Sequence, residues 1–142
     1  MIYAKCVSKK YITDDIDVFK ARQSKGEHVY CIGQITKSKN GLDLLSCVPL
    51  NFVLDCLKYG EYIAIIEVEN NKSSYISKSS YLGLEINSKE QKVIDIIDPN
   101  DKKTIDFIFD EVGNPDLVNV GYSHYLSEDI QKYINNKKGI SN

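Results

Sequence analysis

The stretch Pro49-Leu50-Asn51-Phe52-Val53-Leu54-Asp55-Cys56-Leu57-Lys58-Tyr59-Gly60-Glu61-Tyr62-Ile63-Ala64-Ile65-Ile66-Glu67-Val68-Glu69 carries two hydrophobic periods back to back. Leu50, Val53, Leu54 and Leu57 recur at helical spacing and give one apolar stripe. Pro49 suits the first helical position, where a missing N–H costs nothing. Gly60 suits the stop, where left-handed geometry is tolerated. Beyond it residues 62–66 are continuously apolar, as expected of a strand buried near the middle of a sheet. Glu67 and Glu69 then alternate with Ile66 and Val68, so the far end of that strand should emerge toward water. A helix delivered directly into a central strand is the seed of an α+β domain.

Working outward toward the N-terminus, residues 42–48 read as a strand, preceded by Asn40-Gly41, a pair suited to a tight hairpin turn. Residues 28–36 would be its partner. Residues 9–27 read mostly as loop, with Ile16, Val18 and Phe19 able to anchor it or form a short strand, and residues 2–8 as a first strand. Toward the C-terminus, residues 70–80 read as polar loop, and residues 81–87 and 91–97 as two strands joined through Ser88, Lys89 and Glu90. Asp98-Pro99-Asn100 should break the sheet and start a helix with Ile105, Ile108, Phe109 and Val112 on its buried face, ended by Gly113-Asn114-Pro115. Ser127 should cap a last helix, with Glu128 and Asp129 in the first turn and Ile130, Tyr133 and Ile134 docking it. Fraying is expected after Lys137. No linker or repeat divides the chain. The expectation is one domain over residues 1–142, a mostly antiparallel sheet with two or three packed helices.

Composition narrows the function classes. The 142 residues are 42% hydrophobic and 27% charged with a net charge of −2, the balance of an ordinary folded domain. Lysines are scattered among carboxylates and Arg22 is the single arginine, so the clustered basic face and guanidinium forks of a nucleic-acid binder are not expected. The start is too short and polar for a secretory signal, and no apolar run approaches the ~18 residues of a membrane span. Cys6, Cys31, Cys47 and Cys56 without such a signal point to unpaired thiols in a reducing compartment, hence the cytoplasm. Ten tyrosines leave self-association open.

Candidate chemistry is thin. The four cysteines with His28 and His124 lack the paired spacing that lets one knuckle present two thiolates to zinc, and they sit among apolar neighbours, so they read as core. His28 and Cys31 would point to opposite faces of one strand, which denies a cysteine nucleophile its base. Asp14, Asp15 and Asp17 resemble the start of a calcium loop, but the required Gly and Glu positions hold Phe19 and Lys25. Gly26, Gly33 and Gly41 form no phosphate cradle. Glu67 and Glu69 share a strand face, which suits an acid–base pair and equally a solvated strand end. The most suggestive segment is Gly121-Tyr122-Ser123-His124-Tyr125, a predicted loop rich in contact-forming side chains.

In order, Gly41-Leu42, Cys47-x-Pro49, the helix of residues 50–57, Tyr59-Gly60, residues 62–69 and Lys92-Val93-Ile94-Asp95-Ile96-Ile97 form a cadence over roughly residues 28–97. It resembles small phage-encoded domains and the domain that precedes ankyrin repeats in giant-virus proteins. The resemblance implies a phage or viral origin, with the host cell cytoplasm as the place of action, and carries no activity or cofactor. The function expected is binding of a host or viral protein, or of a small ligand, through Tyr122, Ser123, His124 and Tyr125, with His28, Tyr30 and Glu67 as further contacts. The alternative is an enzyme of low motif content, ADP-ribosyltransferase-like or nucleotide-handling, using His28, Tyr30 and Glu67. An enzyme should show a cleft where a histidine and a carboxylate converge, and a binder an exposed tyrosine-rich patch.

Overall fold

The alternation Ala4-Lys5-Cys6-Val7 sorts the molecule into two cores, because successive strand residues face opposite ways. A computed structural model describes residues 2–10, 18–21, 28–38, 45–68, 74–79 and 83–140. In it, Ala4 and Cys6 of strand β1 (Tyr3–Lys10) belong to one apolar cluster and Val7 to another. β1 lies antiparallel to β6 (Tyr62–Glu67), with Tyr3 opposite Ile66 and Val7 opposite Tyr62. Its first residues also pair with β5 (Leu45–Pro49), and its last with β2 (Val18–Ala21). β2 pairs with β3 (His28–Tyr30), while β4 (Ile35–Lys37) pairs with β9 (Glu90–Ile97), which pairs with β6. β3 lies beside β4, and the Thr36 hydroxyl donates to the Val29 carbonyl at 2.7 Å. The strands therefore curl back on themselves. From β5 the sheet continues through β8 (Gly83–Ser88) to β7 (Ser74–Ser79), and every pairing is antiparallel.

The first core lies between the sheet and a helical layer. That layer comprises the 3₁₀ helix Leu50–Tyr59, α1 (Lys102–Val112) and α2 (Glu128–Lys138). Val53, Leu54 and Leu57 meet Ile105, Ile108 and Phe109 from α1 and Ile130 and Ile134 from α2, the apolar positions expected from periodicity. Both α-helices start on side-chain caps that satisfy otherwise unpaired N–H groups. Asp101 accepts from the Lys103 N–H at 3.0 Å, and Ser127 from the Ile130 N–H at 3.4 Å. The second core fills the inside of the curled strands with Val7, Phe19, Tyr30, Ala64, Ile66 and Val93. The domain is α+β, as the sequence predicts.

Asp106 ties the two α-helices together, accepting from the Tyr133 hydroxyl at 2.5 Å and pairing with Lys137 at 2.8 Å. The hydrogen bonds from Lys137 and then Tyr133 hold its carboxyl below the usual range, and the bond to Asp106 raises the Tyr133 phenol. In Asp106→Asn, Tyr133 should therefore titrate at lower pH than in the wild type, which ultraviolet absorbance will follow. An unshifted phenol would contradict the contact.

Several local expectations are corrected. Residues 28–36 are not one strand, because a turn closed by Gln34 N–H on the Cys31 carbonyl, with Gly33 at φ 81°, separates β3 from β4. β4 pairs with β9 and β5 with β1 and β8, so residues 28–36 and 42–48 are not hairpin partners; the turn residues Asn40 and Gly41, like Asp14, Asp15, Asp17 and Glu69, lie outside the described residues. Within residues 70–80, Ser74–Ser79 is a strand that pairs residue for residue with β8, since main-chain bonding carries an outer strand of weak apolar content. β8 and β9 follow one another across Lys89 yet pair with different neighbours. The first helix is 3₁₀ in type, and Gly60 ends it with extended backbone, φ 173°. α2 runs to Lys138, whose ammonium donates to the carbonyls of Pro115 and Val118. Among the described residues no helix is long and apolar enough to cross a membrane.

Candidate functional site

Residues 117–121 are held against the 3₁₀ helix Leu50–Tyr59 by Asn51 and Asp55. The Asn51 side-chain amide donates to the Leu117 carbonyl at 3.3 Å, and the Asn119 N–H donates to the Asn51 carbonyl at 2.9 Å. Farther along the helix, the Asp55 carboxylate accepts from the Gly121 N–H at 2.7 Å. Asn51 and Asp55 thus act as two latches on this segment. Residues Ser123–Tyr125 then form one 3₁₀ turn, and buried Leu126 pins its end into the first core. Beyond it, the Asn100 side chain accepts from the Ser127 N–H at 2.8 Å.

These constraints gather aromatic rings on the surface. His124 lies 4.7 Å from Tyr125 and 5.8 Å from Tyr122 between ring centroids, and the two tyrosines are 6.1 Å apart. Lys58, in the last turn of the 3₁₀ helix, sets its ammonium 5.3 Å from the Tyr122 ring centre and 5.0 Å from that of Tyr59. Cation–ring contacts of this kind are worth about 0.5–1 kcal/mol at exposed sites, enough to bias a long side chain toward one position. Tyr125 is 56% exposed and Tyr59 40% exposed. Between these two tyrosines opens a cleft of about 350 Å³ whose other walls include Ser8, Glu61, Pro99 and Asn100. The Glu61 carboxylate on its rim accepts from the Lys9 N–H at 3.0 Å. Flat rings with wet hydroxyls, a cation and a shallow cleft suit contact with a planar group or a partner surface.

The predicted residues divide three ways. Tyr122, Ser123, His124 and Tyr125 come together here. Lys58 and Tyr59 were missed, because their positions at the end of an apolar stripe read only as helix terminus. His28 and Tyr30 are buried in the second core, at 3% and 0% exposure, and cannot contact a partner as expected. Tyr30 instead accepts from the buried Lys5 ammonium at 2.6 Å, and Lys5 also reaches the Gln91 side-chain oxygen at 3.5 Å. Burial, then the neighbouring Cys47, pushes the Tyr30 phenol well above its ordinary value. Glu67 is exposed on the lip of a different cleft, against β9 and the start of α1, so His28, Tyr30 and Glu67 do not form one site.

None of the four cysteines forms a disulfide; Cys6, Cys47 and Cys56 are buried, as core residues should be, and Cys31 is half-buried. The Cys6 thiol is pushed up by burial and then by neighbouring Cys56, the reverse of an activated nucleophile. Among the described residues no three His, Cys, Asp or Glu side chains gather in a metal-binding group. Comparison with protein-family models, curated proteins and solved structures gives no match to this chain.

Proposed function

We propose that the chain is a binding protein that engages a partner protein through the surface of Tyr59, Tyr122, His124 and Tyr125 with Lys58. The carrying observation is the exposed ring cluster, held in place by the Asn51 and Asp55 latches. Tyrosine offers a large amphipathic contact area at low entropic cost, and pre-ordering the rings lowers the cost of association further. The enzyme reading has less support, because buried His28 and exposed Glu67 belong to different parts of the fold. A host protein is the partner class in keeping with the phage and giant-virus resemblance.

The test compares tagged wild type with the Tyr59→Ala/Tyr125→Ala double variant in quantitative capture from a host lysate. Proteins retained by wild type should fall at least tenfold with the variant, since central aromatic contacts commonly contribute about 2 kcal/mol or more each. Both changes are at exposed rings, so the melting temperature should move little. An unchanged set of captured proteins would refute the surface. A melting-temperature rise with nucleotides or NAD, in place of any captured protein, would favour the enzyme.

A further inference from the structure

The first core is left open along one flank. Between β9 and the N-terminal half of α1 lies a cleft of about 740 Å³, within the range of about 300–1,000 Å³ usual for small-molecule sites. Its apolar lining includes Ile2, Ile65, Ile97 and Phe107. Ile65 is a buried member of the first core, and the other three are partly buried against that core. The floor of the cleft is thus core surface that the helical layer does not cover. Such a floor favours a ligand whose apolar part displaces water from it.

The rim has a sign. Glu67, Asp95, Asp98 and Asp101 border the cleft and all four are exposed, with Lys103 the lone cation among the described residues that line it. The acids do not converge on a point, since among the described residues no three metal-ligating side chains gather. Their field is spread around the opening, where a monovalent cation keeps much of its hydration. Exposed ion pairs are individually weak, so the charges select a ligand and the apolar floor retains it. A peptide backbone is poorly served here. Ile94 has no opposite residue in the ladder with β6, and the Ile96 N–H donates to the Asp95 carboxylate at 2.8 Å, so β9 offers no regular edge for an added strand.

We infer that this cleft binds a small amphipathic amine, with its aliphatic tail on the floor and its ammonium at the acidic rim. The tail lies against Ile2, Ile65, Ile97 and Phe107, where it replaces water over the uncovered core. The ammonium stays at the mouth, among carboxylates that outnumber the one lysine four to one. A fatty acid of the same length fits the floor equally well and is refused by the rim. This site is separate from the tyrosine surface and does not depend on the function proposed for it.

The probe is decylamine, kept below its micelle concentration and titrated calorimetrically into the full chain at neutral pH, beside octylamine, decanol and decanoate. Decylamine should bind at one site per chain and decanoate should not bind measurably. Octylamine should bind more weakly, by up to roughly fourfold for each methylene lost. Decanol should bind several-fold more weakly than decylamine, and added salt should narrow that gap. Methyl resonances of Ile2, Ile65 and Ile97 should shift on binding. Ile97→Trp, which fills the cleft, should weaken decylamine at least tenfold; should that variant unfold, Glu67→Lys at the exposed rim should weaken it several-fold with the melting temperature unchanged. Tyr59→Ala/Tyr125→Ala should bind decylamine as the wild type does. No saturable binding, equal affinity for decylamine and either decanol or decanoate, or shifts confined to residues outside the cleft would overturn the inference. So would loss of binding in the tyrosine double variant, which would move the amine to the ring cluster.

Discussion

Gly60→Ala destabilises the protein by about 3 kcal/mol or more, lowering its melting temperature by roughly 10 °C, or prevents folding. A methyl group at Gly60 would sit 2.4–2.6 Å from the N, C and O atoms of Val7. These are backbone atoms of β1, which is locked in register against β6, so no flexible side chain can yield. The glycine backbone itself is ordinary, extended at φ 173°. Left-handed strain is therefore not the cause. Gly113 provides the control: it has φ 85° and nothing within 4 Å of the point an added methyl would occupy, so Gly113→Ala should cost only about 1 kcal/mol. Thermal melts of the two variants check the ranking. Equal losses would show that the close approach of the helix end to β1 is not rigid.

Tyr30→Phe is expected to cost about 2–3 kcal/mol, because it removes the hydroxyl that accepts from a buried ammonium. The ring itself stays, so cavity formation is not part of the loss. The same phenol also shapes the alkaline limit of stability. Tyr30 and Cys6 are both held protonated by burial, above their ordinary values of 10.0 and 9.0. As pH rises past those values, the unfolded chain releases protons that the folded chain keeps. The folded state then binds more protons than the unfolded state, and stability falls, by up to about 1.4 kcal/mol per pH unit for each group. Below about pH 9 neither loss operates. Tyr30→Phe should start lower yet decline less steeply above pH 10, and urea melts across pH 8–11 will show whether it does. An alkaline slope identical to the wild type would rule out the phenol.

What was legible in the sequence follows from how local the cause is. α1 and α2 announce themselves because their caps and apolar stripes lie within a few residues of each other: Asp101 before Ile105, and Ser127 before Ile130. β6 is equally plain from its unbroken apolar centre. Strand partners are another matter. The Asn40-Gly41 pair suggests a hairpin, but the ladder that completes β4 comes from residues 90–92, and nothing near residue 36 encodes that choice. Gly60 reads as a helix stop and proves to be a clearance for a distant strand.

The candidate surface was half legible for the same reason. Tyr122 to Tyr125 stand out as consecutive contact-forming residues, but the rings become a surface only when Asn51 and Asp55 fix them beside Lys58 and Tyr59. His28 and Tyr30 mislead because polar side chains on a short strand suggest exposure. In His28-Val29-Tyr30 the alternation is inverted, the two polar residues inward and the valine outward. The interior of the curled strands contains Lys5 and Gln91 as well, so that side of the sheet is a mixed core rather than an oily one.

β1 pairs with β2 over its last residues and with β5 and β6, much farther along the chain, over the rest. Tyr3 faces Pro49 on one side and Ile66 on the other, so both ladders at the start of β1 close over long stretches of chain. Folding of this domain therefore belongs to the slow, long-range regime set by topology. A tag or fusion placed ahead of Ile2 sits at the very strand around which everything later must assemble.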